Sequence, residues 1–190
     1  LEFFIFASVT AITPGPNNSM LMASGIKFGR RPSIPHFLGI WLGFTFLFFV
    51  GGYILSFVPS EVFTYLQYIG YGVIVYIAYK IATTKTSTDK SKIEKPFTFI
   101  QACLFQWVNP KGVVMAISGL TAFNITHLQG TLIYFSVLPF CVGIWLLLGE
   151  KLQNWLRKNS TLERTVYIFL GLSMIAVSYT HLTLPTRIRV

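Results

Sequence analysis

Charged side chains are scarce in this sequence. They make up 11% of its 190 residues, whereas 53% of the residues are hydrophobic and 18 are Phe. A soluble domain usually carries about 25% charged residues. Long uncharged runs accompany this shortage, and such runs are typical of helices that lie in hydrocarbon. The sequence therefore predicts an all-α, polytopic membrane protein rather than a protein with a soluble core.

Cysteine is almost absent, and a secretion signal is not evident. Cys103 and Cys141 lie far apart within apolar segments, with neither a CxxC pair nor a zinc-ligand spacing. We interpret both as small buried hydrophobic side chains, so no metal site and no cofactor are predicted. A basic n-region and a cleavage motif are missing, which argues against a signal peptide. Leu1 already lies inside an apolar run, so we expect the native chain to begin a few residues earlier.

Long apolar segments predict three uninterrupted membrane spans. A helix needs about 20 apolar residues to cross about 30 Å of hydrocarbon. Segments 37–58, 62–79 and 131–149 approach or meet this length without a charge. The last apolar segment of the chain, 165–177, would be the sixth span, but it is too short to cross the bilayer. The tail that follows it, 178–190, resembles the translation of a sequencing adapter, so we expect it to be foreign and to have no function.

Two further spans are interrupted by residues that break helices. Segment 1–26 contains Pro-Gly-Pro-Asn-Asn at 14–18, and segment 97–123 contains Asn-Pro-Lys at 109–111. Neither half of either segment is long enough to cross, but at about 1.5 Å per residue each joined segment reaches roughly 40 Å. We therefore predict that spans one and four are broken helices with the break near mid-depth.

The basic residues are distributed unevenly among the loops. Twelve Lys and Arg residues follow spans one, three and five, and none lies in the loops near residues 60 and 127. The positive-inside rule places the basic loops in the cytoplasm and the N-terminus outside, so the net charge of +9 does not indicate a nucleic-acid partner. A polar cytoplasmic linker, 85–96, separates three spans in 1–84 from three in 97–177. Because three is odd, the second set enters the membrane from the other side, which predicts two inverted repeats.

The two breaks predict a substrate site. Proline is well accommodated at the first position of a helix, and Asn109 is a suitable cap before Pro110. The half-helices that begin at Pro16 and Pro110 would then direct free N–H groups and positive dipole ends at one interior region, which suits a carboxylate. No catalytic residue is predicted. The predicted substrate-binding residues are Pro14, Gly15, Pro16, Asn17, Asn18, Gln106, Asn109, Pro110 and Lys111.

Lys111 is the one charged residue deep within an apolar segment. Its insertion costs about 2.5–3.5 kcal/mol, so it needs a partner or a cavity. All six acidic residues lie near span ends or in loops. The substrate's carboxylate could therefore be the partner; the alternative is that Lys111 snorkels to water. For Asn17 and Asn18 the alternative to substrate binding is a hydrogen bond to a neighbouring helix.

The sequence around the breaks resembles a known family. TPGPNNSMLMASGIKFG, PHFLGIWLGF and FQWVNPKGVVMAISGLTAF resemble the LysE/RhtB family of bacterial amino-acid exporters, and the likeness extends to about residue 177. YIAYKIATT resembles the cysteine and O-acetylserine exporter subgroup. The resemblance implies a six-helix, multi-pass carrier of the inner membrane that expels amino acids in exchange for protons. Residues 14–18 and 109–111 match the two family signatures, whereas the tail departs from the family.

The absence of acidic residues from the spans bears on the substrate. A cationic amino acid would need a carboxylate in the cavity, so we expect a neutral one: threonine, homoserine, leucine, cysteine or O-acetylserine. Export of basic amino acids is the alternative. The proton carrier stays open between Lys111, His36 and the substrate's amine.

Three other functional classes compete with transport. A passive channel also fits hydrophobic spans and broken helices. A membrane enzyme would need a nucleophile–base pair, a metal cluster or facing cysteines, none of which the sequence offers, so no enzymatic activity is predicted. A purely structural subunit gives no reason for Lys111 at depth. The expected partners are an amino acid, protons and the lipid bilayer, and a homo-oligomer is compatible with the sequence.

Overall fold

The computed structural model describes residues 1–54, 57, 60–83 and 95–183. Within these ranges the chain forms eight helices and no strands, which confirms the all-α prediction. The predicted linker, apart from its last two residues, and residues 184–190 of the tail lie outside the described ranges. The helices are α1 (Glu2–Ile12), α2 (Pro16–Phe28), α3 (Arg30–Ile54), α4 (Ser60–Ala82), α5 (Phe99–Val108), α6 (Pro110–Ala122), α7 (His127–Leu156) and α8 (Ser160–Thr183).

Several helices have the length and composition of membrane spans. Among the described residues, Arg30–Ile54, His127–Leu156 and Ser160–Thr180 are long and apolar enough to cross a bilayer. Glu2–Ile12, Tyr68–Ala82 and Phe99–Val108 are shorter apolar helices. Large apolar side chains cover much of the outer surface, as expected of a protein whose surroundings are hydrocarbon rather than water.

α7 and α8 extend beyond the apolar segments predicted at 131–149 and 165–177, and the sixth segment was predicted too short. The structure continues α8 over 24 residues, from Ser160 to Thr183. Asn159 accepts a hydrogen bond from the Leu162 N–H at 3.0 Å, which stabilises the polar first turn that a hydropathy criterion omits. Ser178 is buried and donates to the Met174 carbonyl. That the tail is foreign to the protein stays a prediction.

The helical backbone is interrupted at both predicted places. α1 ends at Ile12 and α2 begins at Pro16, while Asn109 alone separates α5 from α6. Pro16 and Pro110 each occupy the first turn of their helix, where the missing N–H is not needed.

The first broken segment lies along α7. Trp145 donates its indole N–H to the Ile12 carbonyl at 3.1 Å, at the end of α1. Further along α7, a methyl group added to Gly29 at the end of α2 would lie 3.6 Å from Gln153 Oε1. The two helices therefore follow one another down the same long neighbour, as a single interrupted crossing would.

The second broken segment lies along α3 in the same way. A methyl group on Gly39 would come within 2.6 Å of Ala102 Cβ in α5. On α6, a methyl group on Gly119 would lie 3.1 Å from the Phe48 ring. The Gly39–Gly43 pair thus serves close helix packing, as small residues at this spacing commonly do.

In the part of the chain that the structure describes, the segments next to Lys27, Lys80 and Arg157 lie at one end of the bundle, where Ile26, Ile81 and Leu156 pack together. Arg30, at the start of α3, lies 3.6 Å from Glu150 near the end of α7. His36 and Phe97, which follows the basic linker, have ring centroids 5.3 Å apart. At the opposite end of α3, Tyr53 meets the first residue of α7 edge-on at 5.1 Å. Within the described residues the contacts agree with a one-sided arrangement of the basic segments, whose location in the cytoplasm stays a prediction.

Aromatic packing fills the bundle on the other side of the breaks. Tyr134 of α7 is fully buried and its ring lies 5.5 Å from Phe3, 4.9 Å from Phe44 and 5.0 Å from Phe48. These rings join α1, α3 and α7 into one core. The breaks consequently lie between an aromatic core and the basic end.

Candidate substrate site at the helix breaks

The end of α1 has no unsatisfied carbonyl groups. The last four carbonyls of a helix lack intrahelical donors and need other partners, above all away from water. Here all four accept hydrogen bonds, mainly from side chains. The pairs are Val9 with the Thr13 N–H at 3.2 Å, Thr10 with the Thr13 hydroxyl at 2.9 Å, Ala11 with the Asn18 amide at 2.9 Å, and Ile12 with Trp145 at 3.1 Å.

Lys111 crosses from the second break to the first. Its Nζ donates to the Thr13 carbonyl at 2.9 Å, the Thr13 hydroxyl at 2.9 Å and the Pro14 carbonyl at 3.1 Å. Three acceptors match the three N–H donors of an ammonium group. The charge also lies at the negative end of the α1 dipole. Lys111 is 8% exposed, so it does not snorkel to the surface in this conformation.

Gly15 provides the space for this side chain. A methyl group at Gly15 would lie 2.7 Å from Lys111 Cδ and 3.0 Å from Nζ. Both distances are shorter than ordinary van der Waals contact, so a larger residue would displace the lysine.

Asn17 and Gln106 form a reciprocal amide pair between α2 and α5. Asn17 Nδ2 donates to Gln106 Oε1 at 2.7 Å, and Gln106 Nε2 donates to Asn17 Oδ1 at 3.1 Å. The second proton of Gln106 Nε2 goes to the Ala102 carbonyl at 2.8 Å. This contact between helices is the alternative that the sequence left open for Asn17.

Asn18 shapes the first break. It is 3% exposed, and its Nδ2 donates to the carbonyls of Ala11 at 2.9 Å and Thr13 at 2.8 Å. Both amide protons are therefore engaged by backbone oxygens of the break.

Asn109 occupies the N-cap position of α6 but makes no side-chain capping bond. The residue is 1% exposed, and its Oδ1 is buried without a hydrogen-bond partner in the described structure. A buried polar atom without a partner is uncommon and costly. This differs from the expectation that the side chain caps α6.

A small cavity lies between the two breaks. Its volume is about 30 Å³, enough for a water molecule or two but not for an amino acid. The polar wall consists of Thr10, Gly15, Asn17, Asn18, Asn109, Lys111 and Gly112. The apolar wall consists of Ala11, Ile40, Phe44, Met115, Leu138 and Val142. None of these lining residues is Asp or Glu.

The structure brings the nine predicted site residues together. Five of them line the cavity: Gly15, Asn17, Asn18, Asn109 and Lys111. Pro14 contributes a carbonyl to Lys111, Gln106 holds Asn17, and Pro16 and Pro110 begin the half-helices. That the breaks approach one another is therefore confirmed, whereas binding of substrate by these residues stays a prediction.

Sequence reasoning missed part of the site. Thr13 provides two of the three acceptors of Lys111, and its place before Pro14 was an available signal. The apolar residues that α3 and α7 contribute to the cavity wall have no distinctive sequence signal, because any buried helix face has similar residues. His36 is buried with Nδ1 unpartnered, but it does not line the cavity.

Known proteins resemble the chain over most of its length. A sequence model of the LysE type translocator family matches residues 8–183, which include both breaks. The cysteine/O-acetylserine efflux protein of Escherichia coli O139:H28 is 30% identical over 91% of this chain and 92% of its own length. Proteins of the same name from E. coli K12 and Shigella sonnei are 29% identical with the same coverage. No solved structure matches significantly. The chain therefore belongs to the LysE type translocator family.

Proposed function

We propose that this protein is a secondary transporter of the inner membrane that exports small neutral amino acids from the cytoplasm in exchange for protons. Membership of the translocator family and the efflux named for its relatives support amino-acid export. One observation supports the location of the site: Lys111 of α6 donates a hydrogen bond to the Thr13 carbonyl at the α1 break, and Lys111 also lines the cavity.

Carboxylate binding follows from the groups at the two breaks. α2 and α6 both begin at the cavity, and the first N–H groups of a helix have no intrahelical acceptors. With Lys111 they form a positive wall for an anionic group. A substrate carboxylate would replace the oxygens of Thr13 and Pro14 as the acceptor of the ammonium. Because the cavity holds only a water molecule or two, binding requires the breaks to move apart.

The substrate's net charge follows from what the cavity lining contains. Lys111 balances one carboxylate, but no lining residue is acidic. A basic side chain would enter without a counter-charge, which is unfavourable at membrane depth. We therefore propose neutral substrates such as cysteine or O-acetylserine, which the relatives' names mention.

Reciprocal contacts support the division into two inverted repeats, 1–84 and 97–177. Lys111 follows Pro110 and contacts the end of α1, while Asn17 follows Pro16 and contacts α5. Each half thus contributes a proline, a polar residue after it and a broken segment that receives the other half's side chain. We propose on this basis a pseudo-twofold axis in the membrane plane, with the basic end in the cytoplasm.

A transport assay distinguishes this proposal from a channel and from basic amino-acid export. The purified protein is reconstituted in vesicles loaded with labelled cysteine or lysine, and efflux is followed with and without external acidification. We expect acidification to accelerate cysteine efflux, even against a cysteine gradient, and a protonophore to abolish the acceleration. Lysine efflux should remain at the level of protein-free vesicles. Strictly downhill flux that ignores pH would indicate a channel, and no cysteine flux would contradict the proposal.

A further inference from the structure

The unpartnered oxygen of Asn109 lacks a role in carboxylate binding. Lys111 and the N–H groups at the helix starts are donors, which suit an anion, whereas Asn109 Oδ1 is an acceptor. It is buried, faces no donor in the described structure and belongs to a residue of the cavity wall. We propose that Asn109 accepts a hydrogen bond from the substrate's α-ammonium group. This inference rests on the proposed function and extends it from the carboxylate to the whole zwitterion.

Other polar side chains of the cavity wall are already engaged. Both amide protons of Asn18 go to backbone carbonyls, and the amide of Asn17 is paired in both directions with Gln106. Thr10 donates its hydroxyl proton to the Phe6 carbonyl at 2.6 Å. Among the residues of the cavity wall, Asn109 is the one whose side-chain oxygen is fully buried without a hydrogen-bond partner in the described structure, so a ligand donor can satisfy it without breaking an existing bond.

The position of Asn109 fits the geometry of an α-amino acid. It stands two residues before Lys111, with Pro110 and the start of α6 between them. An amino acid carries its carboxylate and ammonium on the same carbon, so its recognition needs donors and an acceptor a few ångströms apart. Asn109 and Lys111 both line the cavity, so its wall carries an acceptor as well as donors.

The apolar wall of the cavity indicates where the substrate's side chain would lie. Ile40 and Phe44 of α3, Met115 of α6, and Leu138 and Val142 of α7 form an apolar surface. A small uncharged side chain can lie against this surface. The predicted specificity is therefore for compounds that combine a carboxylate, a free ammonium and a small uncharged side chain; carboxylates that lack the amine are disfavoured.

Two thiol compounds that differ in one group test this role. 3-Mercaptopropionate is cysteine without its amine, so it retains the carboxylate and the side chain. We expect wild-type protein in vesicles to prefer cysteine to 3-mercaptopropionate by about ten- to a hundredfold in kcat/KM, the usual effect of one hydrogen bond to a charged group. In Asn109→Leu, which keeps the size but removes the acceptor, cysteine efflux should fall much further than 3-mercaptopropionate efflux, so that the preference for cysteine drops to about one. Asn109→Asp, which keeps the acceptor, should retain a preference at least as high as that of wild type.

The outcomes separate this inference from the proposed function. Wild-type protein that exports both compounds equally well would overturn the role of Asn109 and leave carboxylate-dependent export standing. A proportional loss of both compounds in Asn109→Leu, or a preference in Asn109→Asp as low as in Asn109→Leu, would also overturn it. Absence of cysteine export from wild-type protein would overturn both proposals. The wild-type comparison needs no substitution, so the test holds even if a variant fails to fold.

Discussion

Replacing Lys111 with Met tests the central contact between the two breaks, and its effect on stability can be worked from the structure. The substitution keeps the length of the side chain and removes its charge. Thr13 O retains the Asn18 donor at 2.8 Å, so Pro14 O is the backbone oxygen that loses its partner. An unsatisfied buried carbonyl costs about 1–3 kcal/mol. Removal of the lysine charge avoids the free-energy cost of inserting that charge into the membrane, which is about 2.5–3.5 kcal/mol. We therefore expect the variant to accumulate in the membrane at wild-type levels or above.

Amino-acid export by Lys111→Met should fall, even though the protein accumulates in the membrane. A hydrogen bond to a charged group contributes about 1.5–3 kcal/mol, which corresponds to a loss of about ten- to 150-fold when the ammonium is removed. Cysteine efflux from reconstituted vesicles, divided by the amount of monodisperse protein, measures this loss. Lys151→Met is the matched control, because Lys151 is exposed near the end of α7 and does not line the cavity. Wild-type efflux from Lys111→Met would refute carboxylate binding by this lysine.

Three further predictions concern the surroundings of the lysine. Gly15→Ala should reduce export at least tenfold with unchanged expression, because its methyl group would meet the lysine side chain at 2.7 Å. Gly70→Ala should lower the melting temperature in detergent, since its methyl group would overlap the carbonyl oxygen at the end of α5, and overpacking costs about 1–3 kcal/mol; Gly72→Ala, with no atom within 4 Å of the added group, should not. A double-mutant cycle of Asn17→Ala and Gln106→Ala should give a coupling of about 0.5–3 kcal/mol in unfolding free energy, and strict additivity would contradict the amide pair.

The sequence predicts the breaks well because the residues that cause them act locally. Proline removes a backbone donor wherever it occurs, so Pro16 and Pro110 mark the starts of α2 and α6 without knowledge of the fold. Lys111 was equally visible, since a charge in an apolar run needs a partner. These features depend on single residues and their neighbours in the chain.

The partner of that charge was not predictable in the same way. The sequence indicated the substrate's carboxylate or water as the partner, but the acceptors in the structure are the hydroxyl of Thr13 and two backbone carbonyls. Every residue has a carbonyl, so no composition signals which ones a helix break will leave free. The apolar wall and the first turns of α7 and α8 were missed because they depend on packing and capping rather than on hydropathy.

The way in which the broken segments lie against α3 and α7 restricts how the protein can change shape. α2 packs against α7 at Gly25, and α3 packs against α5 at Gly39, at distances that leave no space for a methyl group on either glycine. Each tightly joined group therefore takes helices from both ends of the polypeptide. We expect a conformational change that enlarges the cavity to keep these close contacts and to shift the rings of Phe44, Phe48 and Tyr134, which join α3 to α7. Each unit that moves during transport would then combine helices from the N-terminal and C-terminal halves of the chain, and neither half would move as a unit.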